Sequence, residues 1–409
     1  MRVLMVAPTS FFMHYGGHIR ILAETRALQA LGHEITIVTY YKGEDLPGLD
    51  IRRTARLPWR ADYEVGSSRH KIAFDAYLAA KVWQVGRQTR PDIIHGHMHE
   101  GALIGGLLAR WWRRPLVFDF QGSLTGEMID HGFIRPAGVG YQLWRRIEWL
   151  AARLPQAVLV SSLRAAPLLQ EQFGVPPARI HPLPDCADLA HFDPARFSAA
   201  DKAAVRAQFG IPAGRPVVAY LGLLADYQGT PHLLHAAAQL KAAGEEVHFL
   251  VMGFPNEDQY LAMAVALGVE DRVTFTGRVD YEKHAPLYLS VGDIAVSPKL
   301  SATEGSGKVL NYMALGQPVV AFDTRVHREY LADLGVYVPR GDVAGLAEAI
   351  RALLHDPGRG WALGQQLRQR AIQLYSWTAA AQKIEAVYAS LLAARGARPL
   401  AGNLREDLE

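Results

Sequence analysis

Short continuous apolar runs alternate along the chain with stretches whose apolar residues recur every three or four positions. In the first half the runs fall at 3–7, 34–38, 92–95, 116–120, 157–161 and 179–183. They are rich in Val, Ile, Leu and Phe and lack an in/out alternation, which predicts strands covered on both faces. Helical periodicity fills the intervals, as at 19–31 and 102–112. The stretch 184–200 carries Pro184, Pro194 and several polar residues and reads as a linker. The pattern then restarts, with strands expected at 217–221, 247–252, 273–276, 294–297 and 319–322, and helices at 231–243, 259–267 and 345–354. Strand–helix alternation throughout places the chain in the α/β class, as two doubly wound parallel-sheet domains. Ligands of such sheets bind beyond the carboxyl ends of the strands, so two facing domains would frame a cleft. The expected division is 1–184 for the first domain, completed by a return helix at 377–395, and 185–376 for the second. A flexible tail is expected at 396–409.

Composition narrows this picture only slightly. The chain has 409 residues, half of them apolar and a fifth charged, with a formal net charge of +3. That is the profile of a globular enzyme, and the charge is too mild to demand nucleic acid as a partner. The single cysteine, Cys186, excludes an intrachain disulfide and a thiolate metal cage. The N-terminal apolar run is short and leads directly into a strand pattern, and no run of 18 apolar residues occurs, so a cytoplasmic protein is expected. Peripheral contact with the inner face of the membrane stays open. The aromatic–basic stretches Trp111-Trp112-Arg113-Arg114 and 143–150 could lie in a membrane interface. The stretch 143–150 equally fits an amphipathic helix whose apolar residues at i, i+4 and i+7 pack on their own sheet, and that is the favoured expectation.

Candidate chemistry concentrates at 297–323. A strand ends at Ser297, a loop closes with Glu304-Gly305-Ser306-Gly307, and a helix follows from Lys308 and stops at Gly316. Glycines before a helix let backbone N–H groups approach an anion, and the helix N-terminus favours negative charge. Glu304 could accept hydrogen bonds from sugar hydroxyls. A plain strand–loop–helix connection would use the same glycines for turning.

This segment resembles the signature of retaining family 4 glycosyltransferases of the GT-B type, which pair two Rossmann-like domains. Further resemblances follow in chain order. They are the loop from Pro8 to Gly17, the strand Pro91-Asp92-Ile93-Ile94-His95-Gly96-His97, the stretch Pro184-Asp185-Cys186-Ala187-Asp188 with Phe192 and Pro194, then Gly277-Arg278-Val279 and Tyr375-Ser376-Trp377. The resemblance implies transfer of a hexosyl group from a nucleotide-diphosphate sugar, with retention and without a bound metal or other cofactor. The acceptor would be a hydroxyl on a lipid-linked or polysaccharide precursor, as in cell-envelope glycan synthesis. It assigns Glu304 to the donor sugar. It assigns Gly305, Ser306, Gly307, Gly16, Gly17, Gly222 and Arg278 to donor binding.

Three departures qualify that assignment. Asn311 stands where the family has a second Glu for the ribose hydroxyls. Leu223 and Gln228 stand where it has an Arg and a Lys for the diphosphate. Two lost charged contacts, at about 1.5–3 kcal/mol each, would weaken donor binding roughly 10²–10⁴-fold. Lys308 is the leading replacement cation, ahead of Lys299, Arg325 and Arg328. Gln121 stands where the family has a His near the reacting carbon. It can hydrogen-bond but not titrate, which leaves His97, Asp119 and Glu127 in range for proton handling.

His95, His97 and His99 would share one face if the strand continued through them, as metal ligands might be arranged, but the resemblance accounts for the first two without a metal. The chain has no Asp-x-Asp and no P-loop, so neither a cation-held diphosphate of the other glycosyltransferase type nor a P-loop nucleotide site is expected. Two other readings remain. One is a degenerate member acting as a glycan-binding or partner-transferase accessory subunit, motivated by Leu223, Gln228 and Asn311. The other is a different reaction on the same fold, such as sugar-nucleotide epimerisation.

Overall fold

The computed structural model describes residues 1–13, 16–56, 71–130, 134–135, 138–161, 165–300 and 305–396. They form two compact units, each around its own parallel sheet. The first comprises Met1–Met13, Ile21–Pro184 and Thr378–Glu409, and the second His14–Arg20 and Asp185–Trp377.

The first unit contains β1 (Arg2–Ala7), β2 (Glu34–Thr39), β3 (Asp50–Arg53), β4 (Ile93–His97), β5 (Leu116–Phe120), β6 (Ala157–Val160) and β7 (Ile180–Pro182). They lie in the order β3-β2-β1-β4-β5-β6-β7, every pair parallel. Its helices are α1 (Gly16–Ala30, whose first turn is counted with the second unit), α2 (Lys71–Thr89), α3 (Met98–Trp112), α4 (Leu124–Asp130), α5 (Val139–Arg153) and the single turn α6 (Ala165–Pro167). Leu4, Val6, Ile94 and Leu116 share one buried cluster with α2, while Phe118, Phe120, Val158 and Val160 belong to another.

The second unit contains β8 (Val217–Leu221), β9 (His248–Met252), β10 (Val273–Gly277), β11 (Ile294–Ser297), β12 (Val319–Phe322) and β13 (Val336–Val338), in the order β10-β9-β8-β11-β12-β13. Around it run α7 (Ala199–Gln208), α8 (Thr230–Ala242), α9 (Glu257–Ala266), α10 (Ala285–Leu289), α11 (Gly307–Ala314), α12 (Arg325–Leu331), α13 (Val343–His355) and α14 (Pro357–Leu374). Along β8, Val217 and Ala219 join one buried layer and Val218 and Tyr220 the other. Both faces are thus covered by helices, which explains the unbroken apolar runs. The last helix, α15 (Trp377–Gly396), belongs from Thr378 onward to the first unit. There Tyr388 meets His95 (2.6 Å) and Glu385 meets His33 (3.1 Å).

Three expectations need correction. The stretch 184–200 is not a bare linker, because Ala187 and Phe192 are fully buried in the core of the second unit and α7 begins at Ala199. His99 does not continue the strand: the chain turns at Met98 (φ 57°) and His99 sits in α3, near Glu148. On α5 the buried face is Glu148, Ala151 and Ala152, whereas Leu143 (58% exposed), Trp149 and Leu150 face solvent. The i, i+4, i+7 apolar set is therefore not the packing face. Among the described residues no helix is long and apolar enough to cross a membrane.

Candidate functional site

The strand order of the second sheet reverses between β8 and β11, which start next to one another and send their chains to opposite sides. A doubly wound sheet binds ligands at such a switch point. The loop after β8 carries Gly222 and Gln228; the loop after β11 leads into α11 and Lys308. The two loops touch. Gly229 has φ +81°, and a Cβ there would lie 1.9 Å from the Pro298 carbonyl oxygen, so only glycine fits.

Lys308, in the first turn of α11, reaches across this junction. Its Nζ donates to Gln228 Oε1 (3.0 Å) and to the Tyr220 hydroxyl (3.3 Å), and lies 4.3 Å from the centre of the Tyr220 ring. A Cβ on Gly222 would come within 2.8 Å of this ammonium, so the glycine makes room for it. Burial holds the Tyr220 phenol well above its usual range, so it remains a neutral oxygen and ring beneath the cation. Gln228 stands where the resemblance led a lysine to be expected, and a cation from a different element is hydrogen-bonded to it.

The approach to α11 is braced from below. Lys299, nearly fully buried, donates to the Gly305 carbonyl (2.6 Å). Ser306 precedes the helix without capping it through its side chain. Instead its Oγ lies 3.3 Å from Ser297 Oγ and from His327 Nε2. His327 donates from Nδ1 to the Phe322 carbonyl (2.7 Å) and accepts at Nε2 from Ser297 (2.9 Å). Burial lowers this imidazole to about 4, and Lys299 and Lys308 push the same way, so it stays neutral. The N-terminus of an eight-residue helix, with its partial positive charge, thus lies beside a lysine ammonium.

Other expected residues are placed as follows. Gly307 opens α11, and space around it is open; a Cβ on Gly305 would meet Asp185 Oδ2 at 2.7 Å. Asp185 also pairs with Arg20 (2.8 Å) and accepts from Tyr330 (3.3 Å). Asn311 is buried and accepts at Oδ1 from Tyr281 (3.1 Å), so its amide nitrogen is the group left for other partners. Arg278 is exposed after β10, 5.4 Å over the Phe254 ring at the same carboxyl edge. Gly16 and Gly17 form the first turn of α1. Glu304 lies outside the described residues.

The first sheet holds a second group at its own switch strand. His97 ends β4 and pairs in register with Asp119 on β5, so both side chains share a face. His97 Nδ1 lies 3.2 Å from Asp119 Oδ2, and the same oxygen accepts from Gln121 Nε2 (2.8 Å). The His95 and His97 rings stack at 4.5 Å. His95 Nε2 is 3.8 Å from Glu24, and one ligand atom from each of Glu24, His95 and His97 lies within 4.8 Å of the others, fully buried. Glu24, not His99, completes this cluster. The side chain of Glu127 lies outside the described residues.

Sequence reasoning missed Tyr220, His327, Tyr281 and the brace made by Lys299. Tyr220 lies within an apolar run as any core residue would, and His327 carries no motif. Only the crossing of distant segments brings them to the site.

Residues 201–373 match the family described as glycosyl transferases group 1, and residues 16–186 match the glycosyl transferase 4-like domain. The chain is 30% identical over 317 residues to D-inositol 3-phosphate glycosyltransferase of Xylanimonas cellulosilytica, covering 75% of this chain and 74% of that one. Among solved structures it resembles sucrose-phosphate synthase from Thermosynechococcus elongatus, with a TM-score of 0.79 and 20% identity over 96% of this chain and 99% of that one. It also resembles the Anabaena protein HepE in complex with UDP and glucose, with a TM-score of 0.76 and 19% identity over 95% and 100% of the two chains. The fold is that of the GT-B transferases. The chain belongs to the group 1 glycosyltransferases and is a glycosyltransferase enzyme.

Proposed function

We propose that this enzyme moves a hexosyl group, with retention, from a nucleotide-diphosphate sugar to a hydroxyl of a lipid-linked or polysaccharide acceptor. The observation that carries the reading is the Lys308 ammonium beside Gln228, Gly222 and the α11 N-terminus. One cation and one helix N-terminus put positive charge where a diphosphate would lie, and the reading assigns the donor no metal. Gly305, Ser306 and Gly307 would approach the phosphates or sugar, Asn311 would meet the ribose through its amide, and Glu304 would hold sugar hydroxyls. The complex of HepE with UDP and glucose makes a uridine diphosphate sugar the first donor to test.

Lys308 also weighs against a degenerate accessory protein. The charge missing at Gln228 is present 3.0 Å away rather than lost. The exposed Leu107 and Trp111 on α3 and Leu143, Trp149 and Leu150 on α5, with Arg110, Arg113, Arg146 and Arg153 on the same segments, support peripheral contact with an anionic bilayer.

Calorimetry with uridine, guanosine and adenosine diphosphates, followed by turnover of the matching sugars with and without a chelator, tests the reading. Binding of one diphosphate and chelator-resistant turnover with the donor's anomeric configuration retained are expected. No binding and no turnover across the panel would overturn it.

A further inference from the structure

We propose that Asp119 is a positioning residue that fixes the side-chain amide of Gln121, so that its carbonyl oxygen and one N–H are presented to sugar hydroxyls. The inference rests on the glycosyl-transfer reading above and adds a residue to it.

The argument begins with register. His97 and Asp119 are direct partners across the parallel β4–β5 pair. Gln121 stands just past the end of β5, and its side chain turns back onto Asp119. One carboxylate oxygen, Asp119 Oδ2, therefore meets both neighbours, Gln121 Nε2 at 2.8 Å and His97 Nδ1 at 3.2 Å. Asp119 and His97 are fully buried, whereas Gln121 is half-buried.

An ionised carboxylate only accepts hydrogen bonds. The amide nitrogen of Gln121 must face it, because the flipped amide would set two oxygens against each other at hydrogen-bond distance. Charge chemistry thus fixes which end of the amide is held. The other end, Oε1 with the second N–H, forms an acceptor and a donor side by side, a pairing that suits neighbouring hydroxyls of a sugar.

The rest of the shell leaves little slack. Ser161 Oγ donates to the Gln121 carbonyl (3.1 Å), and Ser161 N donates to the Phe120 carbonyl (3.2 Å), pinning the backbone at the strand end. His97 stacks on His95, which is held by Tyr388 of α15. Gln121 in this arrangement orients a sugar and transfers no proton. Asp119 acts through it and does not itself touch substrate.

The test uses the full chain with Asp119→Asn, Gln121→Glu and the double variant. Asp119→Asn keeps shape but removes the charge that fixes the amide. We expect it to lower kcat by at least about tenfold while the affinity for the nucleoside diphosphate stays within about twofold. Gln121→Glu sets a second carboxylate against Asp119 and should be more impaired at pH 8 than at pH 6. Adding Asp119→Asn to it supplies an N–H toward the new carboxylate and should restore part of the rate and flatten that pH profile. A purely structural role would give no such rescue. The Gln121 side-chain amide signal in a ¹⁵N spectrum, identified by its loss in Gln121→Glu, should shift in Asp119→Asn without any substrate. Unchanged kcat in Asp119→Asn, no rescue in the double variant, or an unmoved amide signal would each overturn the proposal. A wild-type enzyme that turns over no sugar nucleotide would instead overturn the transfer reading, and Asp119's role with it. The amide signal would still report the contact, so the two failures are distinguishable.

Discussion

Lys308 and Gln228 are 80 residues apart in sequence and meet at 3.0 Å, Nζ to Oε1, where β8 and β11 diverge. A neutral amide occupies the position expected to carry charge, and the charge arrives from the helix opposite. Lys308→Ala should weaken nucleoside diphosphate binding about 10- to 100-fold, the worth of one charged contact. Gln228→Lys alone should also weaken it, by setting two ammonium groups together. The exchange Gln228→Lys with Lys308→Gln should recover most of the affinity. Titration calorimetry of the three variants decides, and an exchange no tighter than Lys308→Ala would refute the relocation.

Stability should fall as pH drops from 6.5 toward 4. Burial holds His327 at about 4, so it stays neutral in the fold while the unfolded chain protonates near 6.5. The neutral form's advantage is complete above 6.5 and is lost on descending through this window. His248, lowered to about 4 chiefly by burial and then by Arg215, contributes in the same range. Urea unfolding at pH 7.5 and 5 should show the loss, and His327→Gln should reduce it in part.

Gly229→Ala should destabilise the second unit by about 2–4 kcal/mol, since it combines a positive φ with a carbonyl 1.9 Å from the new methyl. Diphosphate binding should weaken as well, because the shift separates the loops that carry Gln228 and Lys308. Thermal melts and calorimetry on the same protein report both effects.

Tyr388→Phe should cost about 1–3 kcal/mol, because it removes the hydroxyl that bonds His95 at full burial. Hydrogen exchange should rise in α15 and β4 and remain unchanged in β8 and β11. Uniform exchange would refute this local assignment.

The exposed residues of α3 and α5 predict binding to vesicles containing anionic lipid at low salt. The double change Trp111→Glu and Leu150→Glu should abolish co-sedimentation and leave nucleoside diphosphate affinity unchanged.

The fold was legible wherever burial was two-sided. The runs 116–120, 217–221, 294–297 and 319–322 coincide with β5, β8, β11 and β12 because helices cover both faces of those strands. Of the four edge strands, β7 and β10 fall on the expected runs at 179–183 and 273–276, but β3 and β13 escaped notice. β3 reads Asp-Ile-Arg-Arg and β13 has only three residues, and neither carries a continuous apolar run. Lys308 was legible as a candidate because it stands just inside a helix after a glycine turn. Its seat on Tyr220 was not, since ring and ammonium come from segments 88 residues apart. The histidine triplet misled because alternation signals a shared face only while a strand lasts, and β4 ends at His97.

The return of α15 to the first unit sets an order of maturation during synthesis. The second unit has its whole sheet once Trp377 is made, while the first still lacks the helix that bears Glu385 and Tyr388. The part of the protein that begins first is thus the last to be finished. Until α15 arrives, the contacts of Glu385 with His33 and of Tyr388 with His95 cannot form. A nascent chain released short of Tyr388 would carry a mature second unit beside an open first one.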